Sequence, residues 1–372
     1  MGESIYEVKT MLLILVLFLA HFESIRGAAA PTAFVGQIRR TSLSSSNYVT
    51  TIQLGTPPQL VTFALDTDAE ISTATFNPSR SSTFHLLRGN MSSDTATLNS
   101  TDGFVPTAPV KLNGIKFKLV NGKKDVLALG AGALAFPTQV SAAARVAKKF
   151  AYCLGGSANP APIFFGNISY YFDSGLPQQG DRYPELDITP YLKYTPLKTP
   201  AHGKRGYALE ITSVTLNAGS AVTVKVSDDA AIGTGALYTR IVEPAYTHIR
   251  QAFLSVLAVT GFQRVSSHHG PLDLCFNITV GQYRSAPLIT FTFGRNSSLG
   301  VTADNYLVNV DNSNIYCFGI ISAGAKKGSS VIGTFQQQDN LVEFDLEKKR
   351  VGMTGSLIAL RSNCANFNFT RA

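Results

Sequence analysis

The sequence predicts a mostly β protein built from two related lobes, and three observations support this prediction. A short strand-and-turn stretch, Ala64–Asp68, has a counterpart 167 positions later at Ala231–Gly235. An apolar-apolar-Gly pattern also occurs twice, at Ala128–Gly130 and at Val331–Gly333. Glycine, proline and β-branched residues are abundant, whereas long stretches of helical periodicity are few. Duplicated strand-turn units of this kind predict two lobes with a cleft between them.

Length and composition agree with this architecture. The 372 residues exceed what one ordinary core needs and suit two domains of about 150 residues each. Apolar residues make up 45% of the chain and charged residues 15%, which is typical of a packed globular protein rather than of a disordered one.

The first 29 residues have the pattern of a secretion signal. An apolar run, Met11–Ala20, follows Lys9 and precedes the small residues Gly27–Ala30. The run is too short to span a bilayer, and no later run reaches about 18 apolar residues. We therefore expect residues 1–29 to be removed, and the mature protein to be secreted to the apoplast or cell wall without a membrane anchor.

The net positive charge of the chain limits the classes of partner that it is expected to bind. The formal charge of +8 rises to +9 when residues 1–29, with three acidic and two basic residues, are removed. A basic extracellular protein is expected to bind acidic surfaces such as acidic cell-wall polysaccharide. Nucleic acid is the other common partner of a basic chain, and secretion argues against it.

Secretion also predicts disulfide bonds between the cysteines and N-glycans on Asn-X-Ser/Thr sequons. Four cysteines predict two disulfides, and the sequence by itself leaves all three pairings open. We expect glycan on several of the six sequons. The sequons are Asn90, Asn99, Asn167, Asn277, Asn296 and Asn368.

Local patterns predict the first elements along the chain. Residues 30–46 have the composition of a polar, Ser-rich lead, and residues 77–109 that of loops and short edge strands. Alternating residues predict strands at Tyr48–Leu54 and Leu60–Leu65. A hairpin is predicted over Asn113-Gly114, between the alternating segments that flank it.

Two helices and the connection between the lobes are predicted further along. The first helix is expected over Pro137–Lys149, with proline at its start and lysines in its last turn. The second begins at Glu243-Pro244 and has one apolar face at Ile249, Phe253, Val256 and Leu257. Residues 173–206 are rich in Pro, Gly and Tyr, and we place the connection between the lobes there.

Several segments resemble the pepsin-like aspartic peptidases, in particular their plant branch. The resemblance covers most of the mature chain and rests on Gly55-Thr-Pro-Pro58, Leu65-Asp66-Thr67, Phe150-Ala-Tyr-Cys-Leu154 and Ile332-Gly333. The tail, Cys364–Thr370, resembles the subgroup of extracellular dermal glycoproteins, basic 7S globulins, xyloglucan-specific endoglucanase inhibitor proteins and xylanase inhibitors. The chain differs from that subgroup in having a shorter first lobe with fewer cysteines.

The resemblance implies a fold, two lobes and a disulfide pairing. The implied fold is a pepsin-like bilobal double β-barrel with a few short helices. The N-terminal lobe would span residues 30–199 and the C-terminal lobe residues 200–372. Cys275 would pair with Cys317 inside the second lobe, and Cys153 with Cys364, which would tie the tail to the first lobe.

The resemblance also implies a broken catalytic site. Each lobe of the family supplies one Asp, and peptide hydrolysis requires the two carboxylates to share a proton. Here Asp66 stands at the first position, Asp68 replaces the glycine that follows it, and Gly233 stands at the second catalytic position. Since Gly233 has no side chain, we predict an inactive homologue. The tyrosine that covers the family's cleft is also missing, because no Tyr occurs between Tyr48 and Tyr152.

Alternatives remain for individual residues. Asp66 and Asp68 could form an unusual pair of their own, or Asp66 and Thr67 could be retained for hydrogen bonds across the lobe junction. His268 and His269 have no Cys or carboxylate at ligand spacing, so we predict an exposed pair, no metal site and no cofactor.

The resemblance finally implies binding to a glycoside hydrolase. Inhibitors of this subgroup contact their targets through loops of the second lobe and the segment before the final Cys, here Ser356–Asn363. Arg361 in that segment can pair with a catalytic carboxylate, or can be an ordinary surface charge. The xylanase inhibitors have a His there, and this chain has none. The alternative functions are an aspartic-type endopeptidase and a basic wall-binding or storage globulin.

Overall fold

The computed structural model describes residues 30–42, 46–122, 124–175, 184–198, 206–258, 260–266, 269–294, 297–310, 313–326, 328 and 330–370. The predicted secretion signal, residues 1–29, lies outside the described residues. Three α helices occur in the described part of the chain: α1 Phe136–Ala144, α2 Ala245–Leu257 and α3 Val280–Arg284.

Strands dominate the fold, as the composition predicts. In chain order they are β1 Ala33–Arg40, β2 Tyr48–Leu54, β3 Gln59–Asp66, β4 Thr73–Ala74, β5 His85–Leu86, β6 Met91–Thr101, β7 Pro106–Leu119, β8 Val126–Ala128, β9 Lys149–Cys153, β10 Ala161–Gly166, β11 Tyr171–Asp173, β12 Glu185–Asp187, β13 Lys193–Pro196, β14 Tyr207–Asn217, β15 Ala221–Ile232, β16 Thr239–Ile241, β17 Gln263–Val265, β18 Cys275–Asn277, β19 Leu288–Phe293, β20 Ser297–Val301, β21 Leu307–Asn309, β22 Ile315–Phe318, β23 Ile320–Ser322, β24 Val331–Ile332, β25 Leu341–Asp345 and β26 Arg350–Met353.

The largest sheet has 13 strands and joins the beginning of the chain to its end. Its order is β13-β26-β25-β9-β10-β1-β2-β3-β8-β4-β7-β6-β5. Strand β25 pairs antiparallel with β9, so that Phe344 lies opposite Phe150 with the two rings stacked 4.6 Å apart. Burial of these aromatic side chains holds the last strands of the chain against the first ones.

A buried carboxylate lies beside the same junction. Glu343 on β25 accepts hydrogen bonds from the hydroxyls of Tyr170 and Tyr194, both at 2.8 Å, and Lys149 Nζ lies 3.3 Å from it. A buried charge is tolerated only when it is paired and hydrogen-bonded, and Glu343 meets both conditions. The last strands are therefore held by polar contacts as well as by aromatic packing.

The second sheet carries the later part of the chain. Its order is β20-β19-β14-β15-β24-β16-β23, and helix α2 packs on β14 and β15. The predicted helix after Pro244 is confirmed, and its four predicted apolar positions are all buried. A four-stranded sheet, β17-β18-β22-β21, and the pair β11-β12 complete the fold.

Two predictions for the first part of the chain are wrong. The expected polar lead contains β1, which pairs with β10 over six residues. Residues 91–119 do not form loops and a hairpin over Asn113-Gly114; instead β6 and β7 form one long hairpin around residues 102–105. Gly114, with φ 71°, lies in a β-bulge where Asn113 and Gly114 together oppose Thr95. A turn-forming Asn-Gly pair is also well suited to a bulge, and this explains the error.

The first helix is shorter than predicted. Helix α1 ends at Ala144, and Arg145 adopts the left-handed conformation with φ 56°. Lys149, expected in the last helical turn, belongs instead to β9, which pairs with β10 and β25. The pairing of β9 on both edges outweighs the helical propensity of an alanine- and lysine-rich segment.

The two disulfides of the structure are the pairs that the resemblance implies. Cys153 bonds to Cys364 across a separation of 211 residues, and Cys275 bonds to Cys317 across 42. The first ties the tail to β9, and the second joins the neighbouring strands β18 and β22. The predicted lobe boundary after residue 199 lies outside the described residues, so the division into lobes stays a prediction.

The longer disulfide is expected to contribute more to stability than the shorter one. Closing a loop restricts the unfolded chain more as the loop grows, which predicts a difference of about 1.4 kcal/mol between the two bonds. Unfolding by guanidinium chloride should therefore show a larger loss of free energy for the double variant Cys153→Ser/Cys364→Ser than for Cys275→Ser/Cys317→Ser. Equal losses, or the reverse order, would contradict this account.

Candidate functional site

The first turn follows β3, and the neighbouring strand β8 and the residues after it support this turn. Asp66 ends β3 and lies in parallel register with Ala128. The N–H of Leu129 donates to Asp66 O at 2.8 Å, and the N–H of Gly130 donates to Ala69 O at 2.9 Å. A Cβ on Gly130 would lie only 2.5 Å from that carbonyl oxygen, so the glycine is required by the close approach.

The second turn repeats this arrangement. Ile232 ends β15 and lies in parallel register with Ile332 of β24. The N–H groups of Thr334 and Phe335 donate to the carbonyls of Ala236 and Leu237 at 2.8 and 2.9 Å. A Cβ on Gly333 would collide with the backbone of residues 237–239, just after the second turn. Both apolar-apolar-Gly patterns therefore perform the same structural task, which is to support the adjacent turn.

The two turns meet through a pair of buried threonines. The N–H of Thr234 donates to Thr67 Oγ1 at 3.0 Å, and the N–H of Thr67 donates to Thr234 Oγ1 at 3.4 Å. The hydroxyl of Thr234 donates in turn to Leu65 O at 2.8 Å. Thr67 thus makes the hydrogen bonds across the junction that the sequence suggests for it.

Asp66 bonds within its own turn. Its Oδ1 accepts from the N–H groups of Asp68 at 2.8 Å and Ala69 at 3.1 Å. A carboxylate that accepts the N–H two residues on is the usual way in which Asp stabilises a tight turn. The carboxylate of Asp66 therefore has a local structural role whether or not it has a chemical one.

The side chain of Thr67 fills the space next to Gly233. A Cβ built on Gly233 would overlap with Thr67 Oγ1 and would lie 2.9 Å from Thr67 Cβ. No side chain at position 233 can be accommodated while Thr67 keeps its place. The position that holds the second catalytic Asp in the resembling family therefore has no side chain here, and Thr67 fills the space that such a side chain would need.

Asp68 faces the second turn from an exposed position. A Cβ on Gly235 in that turn would lie 3.6 Å from Asp68 Oδ2, and one on Gly206, just before β14, would overlap with Asp68 Oδ1. Asp68 does not have a positive φ, so this turn does not require the glycine that the family has there. The structure therefore explains why Asp is tolerated at this position.

A buried run of three glutamines supports the second turn, and sequence reasoning missed it. Gln337 Nε2 donates to Gly233 O at 3.0 Å and to Ile332 O at 2.9 Å. Gln337 Oε1 accepts from the hydroxyl of Tyr152 at 2.8 Å. Burial, and then Tyr207 and Asp68, raise the pKa of Tyr152, so its hydroxyl stays protonated and able to donate.

The neighbouring glutamines are satisfied in the same way. Gln336 accepts from the N–H of Thr239 at 2.7 Å and donates to the carbonyls of Asn305 and Gly319. Gln338 donates to the hydroxyl of Tyr48 at 3.2 Å. Three consecutive glutamines shortly after the short strand β24 were the signal, because buried amides must find partners.

The segment before the final cysteine presents a small exposed surface. A 3-10 turn, Leu357–Leu360, buries Leu357 and leaves Ile358 42% exposed. Arg361 follows as an exposed residue in the left-handed conformation, with φ 57°. Its carbonyl accepts from the N–H of Gly175 at 2.6 Å. Arg361 is therefore held by its backbone while its side chain points to solvent.

Further hydrogen bonds hold the end of the Ser356–Asn363 segment in place. Ser362 Oγ donates to Asp173 O at 2.8 Å, and the N–H of Cys364 donates to Asp339 Oδ1 at 3.0 Å. The disulfide to Cys153 follows directly. The segment is thus anchored on β11, on Asp339 and on β9, and it is a site separate from the Asp66 turn.

The remaining predicted site residues are the asparagines of the sequons and the two histidines. Asn90, Asn99, Asn167 and Asn277 are exposed, Asn368 is half-buried, and Asn296 and His268 lie outside the described residues. His269 forms a backbone bridge with Leu272. Among the described residues no group of three or more His, Cys, Asp or Glu side chains could hold a metal ion. No described helix is long and apolar enough to cross a membrane.

Two supported turns that meet through threonines define the pepsin-like fold. The crystal structure of an aspartic proteinase from Irpex lacteus has this fold, with a TM-score of 0.60 and 15% identity over 89% of this chain and 100% of that chain. Within that fold, two family models match the chain: xylanase inhibitor N-terminal at residues 70–167 and xylanase inhibitor C-terminal at residues 206–355. The chain belongs to the family that combines these two domains.

Individual relatives carry several different names. A rice (Oryza sativa subsp. japonica) protein named chitinase CLP is 29% identical over 80% of this chain and 72% of its own length. A probable aspartic proteinase from Nicotiana benthamiana is 27% identical over 76% of this chain and 69% of its own length. The crystal structure named edgp has a TM-score of 0.77 and 25% identity over 93% of this chain and 100% of that chain. The family alone therefore does not fix the activity.

Adding a Cβ at position 233 is expected to destabilise the protein. Gly233→Ala forces Thr67 to rotate and to give up its bond to the N–H of Thr234, which should cost about 1–3 kcal/mol of unfolding free energy. Gly235→Ala is the matched control, since its Cβ meets only Asp68 Oδ2 at 3.6 Å. Chemical denaturation measures both.

A double variant separates this contact from a general effect on the turn. Thr67→Ala removes the hydroxyl that blocks position 233, so the cost of Gly233→Ala should be smaller in that background. An unchanged cost in the Thr67→Ala background would show that Thr67 is not the obstacle.

Proposed function

We propose that this protein is a catalytically inactive pepsin-like protein that is secreted and acts by binding and inhibiting a plant or microbial glycoside hydrolase of the endoglucanase or xylanase type. The observation that carries the proposal is Thr67 Oγ1 in the space of a side chain at position 233. Proteolysis by this fold needs a second carboxylate close to the first, so that one is ionised and the other protonated. Asp66 alone cannot fill both roles.

The family domains and the tail segment support an inhibitory role. Both matched family models are described as parts of xylanase inhibitors. The Ser356–Asn363 segment presents Arg361 next to the exposed Ile358, which combines an apolar contact with a guanidinium group. Arginine can bond a carboxylate through two parallel N–H groups, and glycoside hydrolases depend on paired carboxylates. The proposed mechanism is therefore occlusion of the hydrolase cleft with Arg361 directed at a catalytic carboxylate.

Two other functions have specific support. The relative named as a probable aspartic proteinase favours an endopeptidase, which would require Asp66 to work with a carboxylate other than one at position 233, such as that of Asp68. The net positive charge favours a basic wall-binding or storage globulin with no enzyme target. Each alternative predicts a result that the inhibitor function does not.

A paired assay on the secreted protein distinguishes these functions. We expect no pepstatin-sensitive cleavage of a denatured protein at about pH 4, and we expect inhibition of at least one hydrolase in a panel of endoglucanases and xylanases. Pepstatin-sensitive cleavage that disappears in Asp66→Ala would establish the endopeptidase instead. Absence of both proteolysis and hydrolase inhibition would favour the globulin.

Substitution of Arg361 tests the proposed contact residue. Arg361→Ala should weaken inhibition about tenfold or more, because arginines at the centre of interfaces are often dominant contributors. Arg145→Ala is a closely matched control, since Arg145 is also exposed, also follows a helical turn and also has φ near +57°, at 56°. Equal inhibition constants for the two variants would exclude Arg361 from the interface.

A further inference from the structure

The outer face of strand β7 carries three exposed lysines, Lys111, Lys116 and Lys118, which we call the lysine stripe. The residues between them, Leu112, Ile115 and Phe117, are buried. The bulge at Asn113-Gly114 shifts the alternation by one residue, so that all three lysines remain on the solvent side. Lys116 and Lys118 are two residues apart, which places their Cα atoms about 6.7 Å from each other along the strand.

The described residues that pair with the stripe on β6 carry no charge. The residues directly opposite on β6 are Met91, Ser93 and Thr97, all uncharged. The two carboxylates of the same hairpin are directed elsewhere: Asp94 is buried and accepts from Thr95 N–H, and Asp102 accepts from Phe104 N–H at the tip. In the described part of the chain none of the three lysines forms an ion pair.

Protection of a sheet edge is the alternative explanation for these lysines, and it does not account for two of them. Edge strands often carry Lys or Pro to prevent pairing with other chains. At Lys116, however, the free edge is already covered, because Gln139 on α1 accepts from its N–H at 2.6 Å and donates to its carbonyl at 2.9 Å. Lys118 lies in register with Thr73 of β4. Edge protection is needed only near Lys111, where Pro109 already contributes to it.

We propose that the lysine stripe binds a linear polyuronate, an acidic polysaccharide with a carboxylate on every sugar. A row of cations without ion-pair partners along one strand is complementary to a polymer whose anions repeat along its length. Lysine suits such a ligand because its ammonium is a mobile point charge that can follow carboxylates of variable position. This surface is distinct from the Ser356–Asn363 segment and the proposal does not depend on hydrolase inhibition.

The test compares charge at the stripe with the same charge elsewhere. The triple variant Lys111→Gln/Lys116→Gln/Lys118→Gln is titrated with polygalacturonate by calorimetry at low salt. The control triple, Lys193→Gln/Lys225→Gln/Lys348→Gln, removes three exposed lysines outside the stripe. Fully methyl-esterified pectin provides a ligand with the same backbone and no charge.

We expect the stripe variant to bind polygalacturonate about tenfold or more weakly than the control triple, since each exposed ion pair contributes modestly and the three act together. Binding by the wild type should weaken as salt is added and should be absent with the methyl ester. Equal weakening in both triples would reduce the effect to net charge and overturn the proposal. Unchanged binding with increased aggregation of the stripe variant would also overturn it, in favour of edge protection.

Glycosylation is controlled in the same experiment. Asn99 lies opposite Pro109 on the hairpin, and Asn90 immediately precedes β6, so glycan on either sequon would lie beside the stripe. Titrations are therefore run before and after enzymatic removal of N-glycans. Binding before removal supports the proposal for the secreted protein, and binding that appears only afterwards contradicts it.

Discussion

The contact between Thr67 and Thr234 is the interaction on which the rest of this structure depends. It joins the two turns, and it does so by placing the Thr67 hydroxyl where a side chain at position 233 would begin. Joining the turns and excluding a second carboxylate are therefore one constraint rather than two. An aspartate at position 233 would meet the Thr67 hydroxyl, so a carboxylate there requires the Thr67 side chain to move.

Buried polar groups extend this constraint away from the turns. Gln337 donates to the carbonyl of Gly233 and accepts a hydrogen bond from the hydroxyl of Tyr152 on β9, 185 residues earlier in the chain. Buried amides and carboxylates are costly unless every partner is present, so their geometry admits few alternatives. The second turn is thus held by hydrogen bonds to Thr67 and to Gln337.

The sequence predicted the repeated units and the helix after Pro244, because each depends on a local pattern. The loss of activity inferred from Gly233 stays a prediction. Prediction from the sequence failed where long-range pairing decides the structure. Lys149 joins β9 only because β10 and β25 lie on both of its edges, and no local pattern contains that information. The position of the Thr67 side chain against Gly233 was equally hidden, since it arises between segments far apart in sequence. The three glutamines were visible in sequence, but their partners were not.

The anchoring of residues 356–363 has a consequence for the timescale of recognition. The segment is bonded to Gly175, Asp173 and Asp339 and ends at the disulfide to Cys153, so it is ordered before any partner arrives. A surface that is already ordered loses little further entropy on association, and differences between related complexes appear mainly in how fast they dissociate. The lifetime of a complex formed through this segment would therefore depend on a sulfur-sulfur bond that the partner itself need not touch.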